Sequence, residues 1–336
     1  MKKTKKEETV IQQVFLQKLK EVLPANISLA DEIAEVLDVS IDSAYRRLRG
    51  DTDLSIDEVY KLAKKYNISL DGIFSNLNDT VTFAYTKLID SSENFEKYLG
   101  RIYNHLKLLN SFEDKRLLYV AEELPIFYSF FGKRLIDFKL FYWQRSVLNV
   151  AEYQGRKFEF GFVPDHLIKL ANSCMEEYKT IPSLEIWTDE TIFTAIRQIE
   201  FYWNSGVFKN KQDVLDIFED VRQMVNYLEQ CAENGRKNIS DKEETFHLYA
   251  SDVVLGTNCI YVLSGNARYA YISFNSFNSL TTNNSEFCDE TDHWIKNLVK
   301  KSTLISGVAE KQRFQFFHKV RSNIDLCVKR IEANTF

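Results

Sequence analysis

Helix breakers are scarce in this chain. Its 336 residues include four prolines and eleven glycines, where average usage gives about 17 and about 24. With Leu, Lys, Glu, Ile and Phe abundant, that scarcity points to a mainly α-helical protein. No C-x-x-C pair occurs. The five cysteines, Cys174, Cys231, Cys259, Cys288 and Cys327, are odd in number and widely spaced, which argues against a disulfide framework or zinc ribbon and for a reducing compartment. No apolar run reaches the roughly 20 residues of a bilayer span; the uncharged stretches 253–267 and 269–285 are broken by Asn, Ser, Thr or Gly. The first eight residues are basic and then acidic, with no apolar signal segment behind them. A cytoplasmic protein with no membrane partner is expected. G-x-G-x-x-G, Walker A, G-x-S-x-G and H-E-x-x-H are all missing, so the usual warrants for an enzyme are gone, and neither catalytic residues nor a cofactor is expected.

What is present is a globular composition, 45% hydrophobic and 27% charged with a net charge of −5, at a length that suits two domains of about 150 residues each. Residues 1–77 carry short amphipathic helices with start and stop signals, 78–90 read as a linker, and 91–336 hold most of the aromatics and all four tryptophans. In this C-terminal body, helices are predicted at 91–110, from Pro125 to Leu148, and at 164–179, 189–204, 210–233, 286–301 and 308–331. Arg116–Val120 is a candidate strand. Phe246–Ala250, Cys259–Leu263 and Tyr269–Phe274 are β-rich, with Ser264-Gly265-Asn266 placed to turn a hairpin. The expected body is therefore mostly helical with a small antiparallel β segment near 245–276.

Two clusters in the body have both a functional and a structural reading. Asp289 and His293, beside Cys288, Glu290 and Asp292, are four apart on a helix, a workable ligand spacing. No full ligand set is visible, and acids at a helix N-terminus are favoured by its dipole, so no metal site is assigned. The aromatic segment from Phe127 through Phe131 to Phe138, Phe141, Tyr142 and Trp143 reads as core ahead of a ligand pocket.

The informative pattern lies at residues 28–71. Ser28 can cap a helix bearing Leu29, Ile33, Ala34 and Leu37 on one face. Asp38-Val39 turns the chain, Ser40 caps a second helix from Ile41 to Arg49, and Gly50 ends it. Ser55 caps a third helix with Ile56, Val59, Leu62 and Ala63 on its inner face, and Ser69-Leu70-Asp71 opens a short fifth helix. Helix, tight turn and helix make a helix-turn-helix, with Ala34 small at the crossing, Val39 plugging the turn, and Ala44 and Leu48 in the core.

Ile33-Ala34-Glu35-Val36-Leu37-Asp38-Val39-Ser40, then Arg46-Arg47-Leu48-Arg49-Gly50, then Leu54-Ser55-Ile56 and Leu62-Ala63-Lys64-Lys65-Tyr66 together resemble the Cro/lambda-repressor-like, or XRE, family of helix-turn-helix domains. The resemblance spans about residues 10–77, roughly a fifth of the chain. It implies a five-helix head that binds double-stranded DNA, as a homodimer on a two-fold symmetric site. The second helix would lie in the major groove, bringing Ser40, Ile41, Asp42, Ser43, Tyr45 and Arg46 to the bases. Arg46 would suit guanine, Asp42 a cytosine amino group and Ile41 a thymine methyl. Ser28 and Ser43 would hold phosphates, as would Arg47 and Arg49. Against a strong electrostatic footprint, residues 1–77 hold twelve Lys and Arg against thirteen Asp and Glu, a net of −1. The expected function is a transcription regulator whose body dimerises and takes a small-molecule or peptide effector. The alternative is a protein-interaction or antitoxin-like adaptor whose DNA contact is secondary.

Overall fold

The computed structural model describes residues 4–23, 27–66, 68, 70, 80–88, 91–238, 240–241, 243–276 and 278–333. The chain divides into two units, Met1–Thr82 and Phe83–Phe336, each with its own hydrophobic core.

The first unit is helical: α1 (Thr4–Val22), α2 (Leu29–Leu37), α3 (Ile41–Arg49) and α4 (Ile56–Lys65). Its boundaries follow the local chemistry. Ser28, Ser40 and Ser55 sit in extended backbone, and each hydroxyl accepts from the amide three residues on, a cap that contributes about 1 kcal/mol. Asp38 takes the left-handed conformation between α2 and α3, at φ 56°, which Asp tolerates better than most residues. Phe15, Leu16 and Leu19 of α1 close over Ile33, Leu37, Ala44 and Leu62. The expected fifth helix at Ser69-Leu70-Asp71 lies largely outside the described residues.

The body departs from expectation. It is mainly helical, but it is built on an eight-stranded mixed sheet rather than a small antiparallel segment. The strands are β1 (Ala84–Tyr85), β2 (Lys115–Ala121), β3 (Ser183–Trp187), β4 (Phe246–Ala250), β5 (Cys259–Ser264), β6 (Ala267–Phe274), β7 (Asn278–Thr282) and β8 (Thr303–Leu304), in the order β1-β7-β6-β5-β2-β3-β4-β8. β2, β3 and β4 run parallel; all other pairings are antiparallel. The expected hairpin joins β5 to β6. β3 is not among the strands expected from sequence: Ser183-Leu184-Glu185-Ile186 alternates polar and apolar over four residues only, and both Ser183 and Glu185 are buried rather than facing solvent. Its partner strands lie far away in the chain.

The helices α5 (Ser92–Asn110), α6 (Lys133–Tyr142), α7 (Asp165–Lys179), α8 (Glu190–Asn204), α9 (Lys211–Asn234), α10 (Ser285–Lys301) and α11 (Glu310–Ala333) complete the body. Leu117, Tyr119, Trp187, Phe246 and Leu248 point from the sheet into the main core with α5 to α9 and α11. Leu118, Val120, Leu184 and Ile186 point the other way, into a smaller core with Cys288, Ile295 and Leu298 of α10. The predicted helix from Pro125 to Leu148 is broken. A 3-10 turn (Ile126–Phe130) precedes α6, Gly132 stands between them at φ 73°, and a π turn (Trp143–Val147) follows.

Candidate nucleic-acid interface

The face of α3 sorts its side chains into two groups. The first group is engaged within the head. The Ser40 hydroxyl caps α3 by accepting from the Ser43 amide at 3.3 Å. The Ser43 hydroxyl accepts from Arg47 Nη1 at 2.6 Å, and Arg47 Nη2 donates to Glu58 Oε1 at 2.7 Å. Glu58 also closes a capping box on α4, where its Oε2 accepts from the Ser55 amide at 2.8 Å. Burial opposes ionisation of Glu58, but the Arg47 and Ser55 hydrogen bonds and the Arg47 charge hold its carboxyl below the usual range. Arg49 pairs with Asp51 at 2.8 Å in the open, where an ion pair is worth little. Ser28 is exposed and caps α2.

The second group is free. Ile41, Asp42, Tyr45 and Arg46 are all exposed, Ile41 at 44% and Tyr45 at 47%. Among the described residues, no hydrogen bond or ion pair engages the side chains of Asp42, Tyr45 or Arg46. The four follow an i, i+1, i+4, i+5 spacing, which puts them on one stripe that runs from the first turn of α3 to Arg46 in its last turn.

Two positioning residues were not picked out by the sequence reading. Gln12 of α1 donates through Nε2 to the carbonyls of Arg47 at 2.8 Å and Thr52 at 3.0 Å, and its Oε1 accepts from the Leu54 amide at 2.7 Å. It ties the C-terminus of α3 to the loop that leads into α4. Nothing local marks it, because its partners lie some forty residues on. Glu58 does carry a local signal, the Ser-x-x-Glu spacing from Ser55; its second role, holding Arg47, is tertiary. We expect Gln12→Ala to destabilise the head by about 1–3 kcal/mol, because the Leu54 amide loses its acceptor. Urea unfolding of the full chain, followed by far-UV circular dichroism, would show the loss; an unchanged head transition would remove Gln12 from this role.

Residues 7–87 match the BetR domain. The BetR match runs over the head and reaches β1, about a quarter of the chain, and leaves the rest of the body unassigned. It is a likeness to an N-terminal helix-turn-helix-like DNA-binding domain, and that points to DNA binding and transcription regulation. No curated protein and no solved structure matches the chain.

The other candidate clusters fall into structural places. Asp289 pairs with Arg268, Asp292 pairs with Lys296, and Cys288 lies buried in the smaller core. Phe127, Tyr128, Phe130, Phe138, Phe141 and Trp143 are all buried in the main core. Among the described residues no helix is long and apolar enough to cross a membrane.

Proposed function

We propose that this protein is a non-enzymatic, sequence-specific transcription regulator that lays α3 in the major groove of duplex DNA. The single observation that carries the reading is the exposed and unengaged stripe Ile41, Asp42, Tyr45 and Arg46 on the second helix of a BetR-like head. The N-terminal residues of such a helix are the ones that reach base edges. A head with a net charge of −1 and only four free side chains on α3 has little to hold phosphate with. Two heads acting together are the natural remedy, so the reading includes a homodimer formed through the body. The reading also gives the body, which has a core of its own, the role of receiving a small-molecule or peptide effector.

The test is selection of bound duplexes from a random library by the full-length protein beside Arg46→Ala. Losing a guanine contact costs about 1–3 kcal/mol and relaxes the preference at one base position. An inverted repeat that weakens in the variant is the expected result. A variant that keeps the wild-type preference at every position would remove Arg46 from base reading.

A second reading is supported by one observation. α4 exposes Ile56 at 82% and Tyr60 at 57%, large apolar side chains one turn apart, of the kind that anchor protein contacts. On that reading the head is an adaptor or antitoxin-like module. A stable heteromeric partner on native purification, with no duplex enriched, would decide for it.

A further inference from the structure

Asp42 is the odd member of the free stripe. A carboxylate placed in a groove walled by phosphates is repelled unless it meets a donor. Among the bases, the major groove offers such donors only as the amino groups of cytosine and adenine. Asp42 and Arg46 are one helical turn apart, so their Cβ atoms lie about 5–6 Å from each other on one face. Both are exposed, and among the described residues neither side chain is committed elsewhere. Their neighbours Ser43 and Arg47 are spaced in the same way but are locked to each other and to Glu58.

We propose that Asp42 and Arg46 read a single G·C base pair as one unit, and that the acid supplies the discrimination. The inference rests on the DNA-reading function proposed above and deepens it. Across its major-groove edge, a G·C pair presents acceptor, acceptor, donor: guanine N7, guanine O6, cytosine N4. Arg46 supplies two parallel N–H donors for the first two, and Asp42 supplies the acceptor for the third. The order of the two side chains along α3 fixes the orientation of the pair. In a C·G pair the carboxylate would face guanine acceptors. In an A·T pair the guanidinium would face the adenine amino donor. Arg46 has further N–H groups with which to offset the charge of Asp42 in the groove. Ile41 and Tyr45 flank the unit with apolar surface, which suits thymine methyls at the adjacent steps.

The experiment uses the full-length protein as wild type, Asp42→Ala and Asp42→Asn, with circular dichroism to confirm folding. Each is put through random-duplex selection. Binding is then titrated on the best duplex and on versions in which each G·C pair is turned to C·G or changed to A·T. The wild type is expected to require one G·C pair in one orientation. Asp42→Ala should lose about tenfold or more of that preference at that pair alone, while Asp42→Asn, which keeps an acceptor oxygen, should retain most of it. If Asp42→Ala instead changes affinity for all duplexes by the same factor, Asp42 acts only as a repulsive charge and the inference is overturned, although DNA binding stands. If the wild type enriches no duplex at moderate salt, the DNA-reading function falls and the inference with it.

Discussion

Replacing Glu185 with alanine is expected to destabilise the body by about 3–5 kcal/mol, the scale of breaking a buried charged network. Glu185 stands in the middle of β3, fully buried. Its Oε1 accepts from the hydroxyls of Tyr128 at 2.7 Å and Tyr178 at 2.6 Å, and its Oε2 accepts from Trp187 Nε1 at 3.0 Å. Alanine would leave three buried donors without an acceptor, each costing about 1–3 kcal/mol, and would open a cavity. Glu185→Gln keeps one oxygen for the tyrosines but turns an amide N–H toward Trp187, so a smaller loss is expected. Denaturant midpoints followed by tryptophan fluorescence should rank wild type above Gln above Ala. Equal midpoints for wild type and Ala would remove the network from the stability of the fold.

The same site has a pH signature. The Lys237 ammonium is buried 3.5 Å over the Tyr178 ring with no hydrogen-bond partner among the described residues. Burial pushes its pKa down to about 8, against the pull of the Glu185 charge; burial pushes the Glu185 carboxyl up. From pH 8 to about 10.5 the unfolded chain holds the Lys237 proton and the folded chain does not. Unfolding therefore takes up a proton at Lys237, and this group's contribution to stability rises with pH across that window; the buried cysteines and tyrosines, whose pKa values burial raises, contribute in the opposite sense. Lys139 is also buried with its pKa lowered to about 8, so wild type must be compared with Lys237→Gln. The stability of wild type relative to the variant should rise with pH across the window; identical slopes would mean that Lys237 does not titrate there.

Gly132→Ala should be as damaging as any substitution in the body. Gly132 begins α6 at φ 73°, and a Cβ there would stand 2.6 Å from Asp220 Oδ2. That carboxylate, from α9, caps α6 in place of the side chain that Gly132 lacks. It accepts from the amides of Arg134 at 2.9 Å and Leu135 at 3.0 Å, and its Oδ1 takes Arg134 Nε at 2.8 Å. Alanine must adopt a positive φ with an extended ψ of 139°, costing about 1–3 kcal/mol, and must also displace a buried cap, which leaves two amides unpaired. A loss of about 3–5 kcal/mol is expected, with a similar loss for Asp220→Ala. Because both changes break one contact, the double variant should fall well short of their sum. Full additivity in denaturant midpoints would show that the two residues act independently.

The head was legible because its signals are local. Ser28, Ser40 and Ser55 cap the amides three residues on, and Ile33, Leu37, Leu62 and Ala63 follow helical spacing into one core. In the body, the helices at 92–110, 165–179, 190–204, 211–234, 285–301 and 310–333 lie within two residues of the ends that capping and periodicity suggest. Three of the eight strands, β4, β5 and β6, were legible as β-rich runs, and β2 as a candidate. β3 and the parallel register from Ser183 to Phe246 were not. A parallel pairing needs a crossover of a dozen or more residues, and no window along the chain contains both partners.

The face of α3 divides in the same way. Residue order alone determined which side chains share the exposed stripe, because helical geometry is a property of neighbours. Only the tertiary structure decided which of them are free. Arg47 and Ser43 are drawn inward by Glu58 eleven residues beyond Arg47, and Gln12 reaches the α3–α4 loop from another helix. A side chain commits to a partner according to what folding brings within hydrogen-bond reach, and that distance is set by the packing of α1 and α4 against α3.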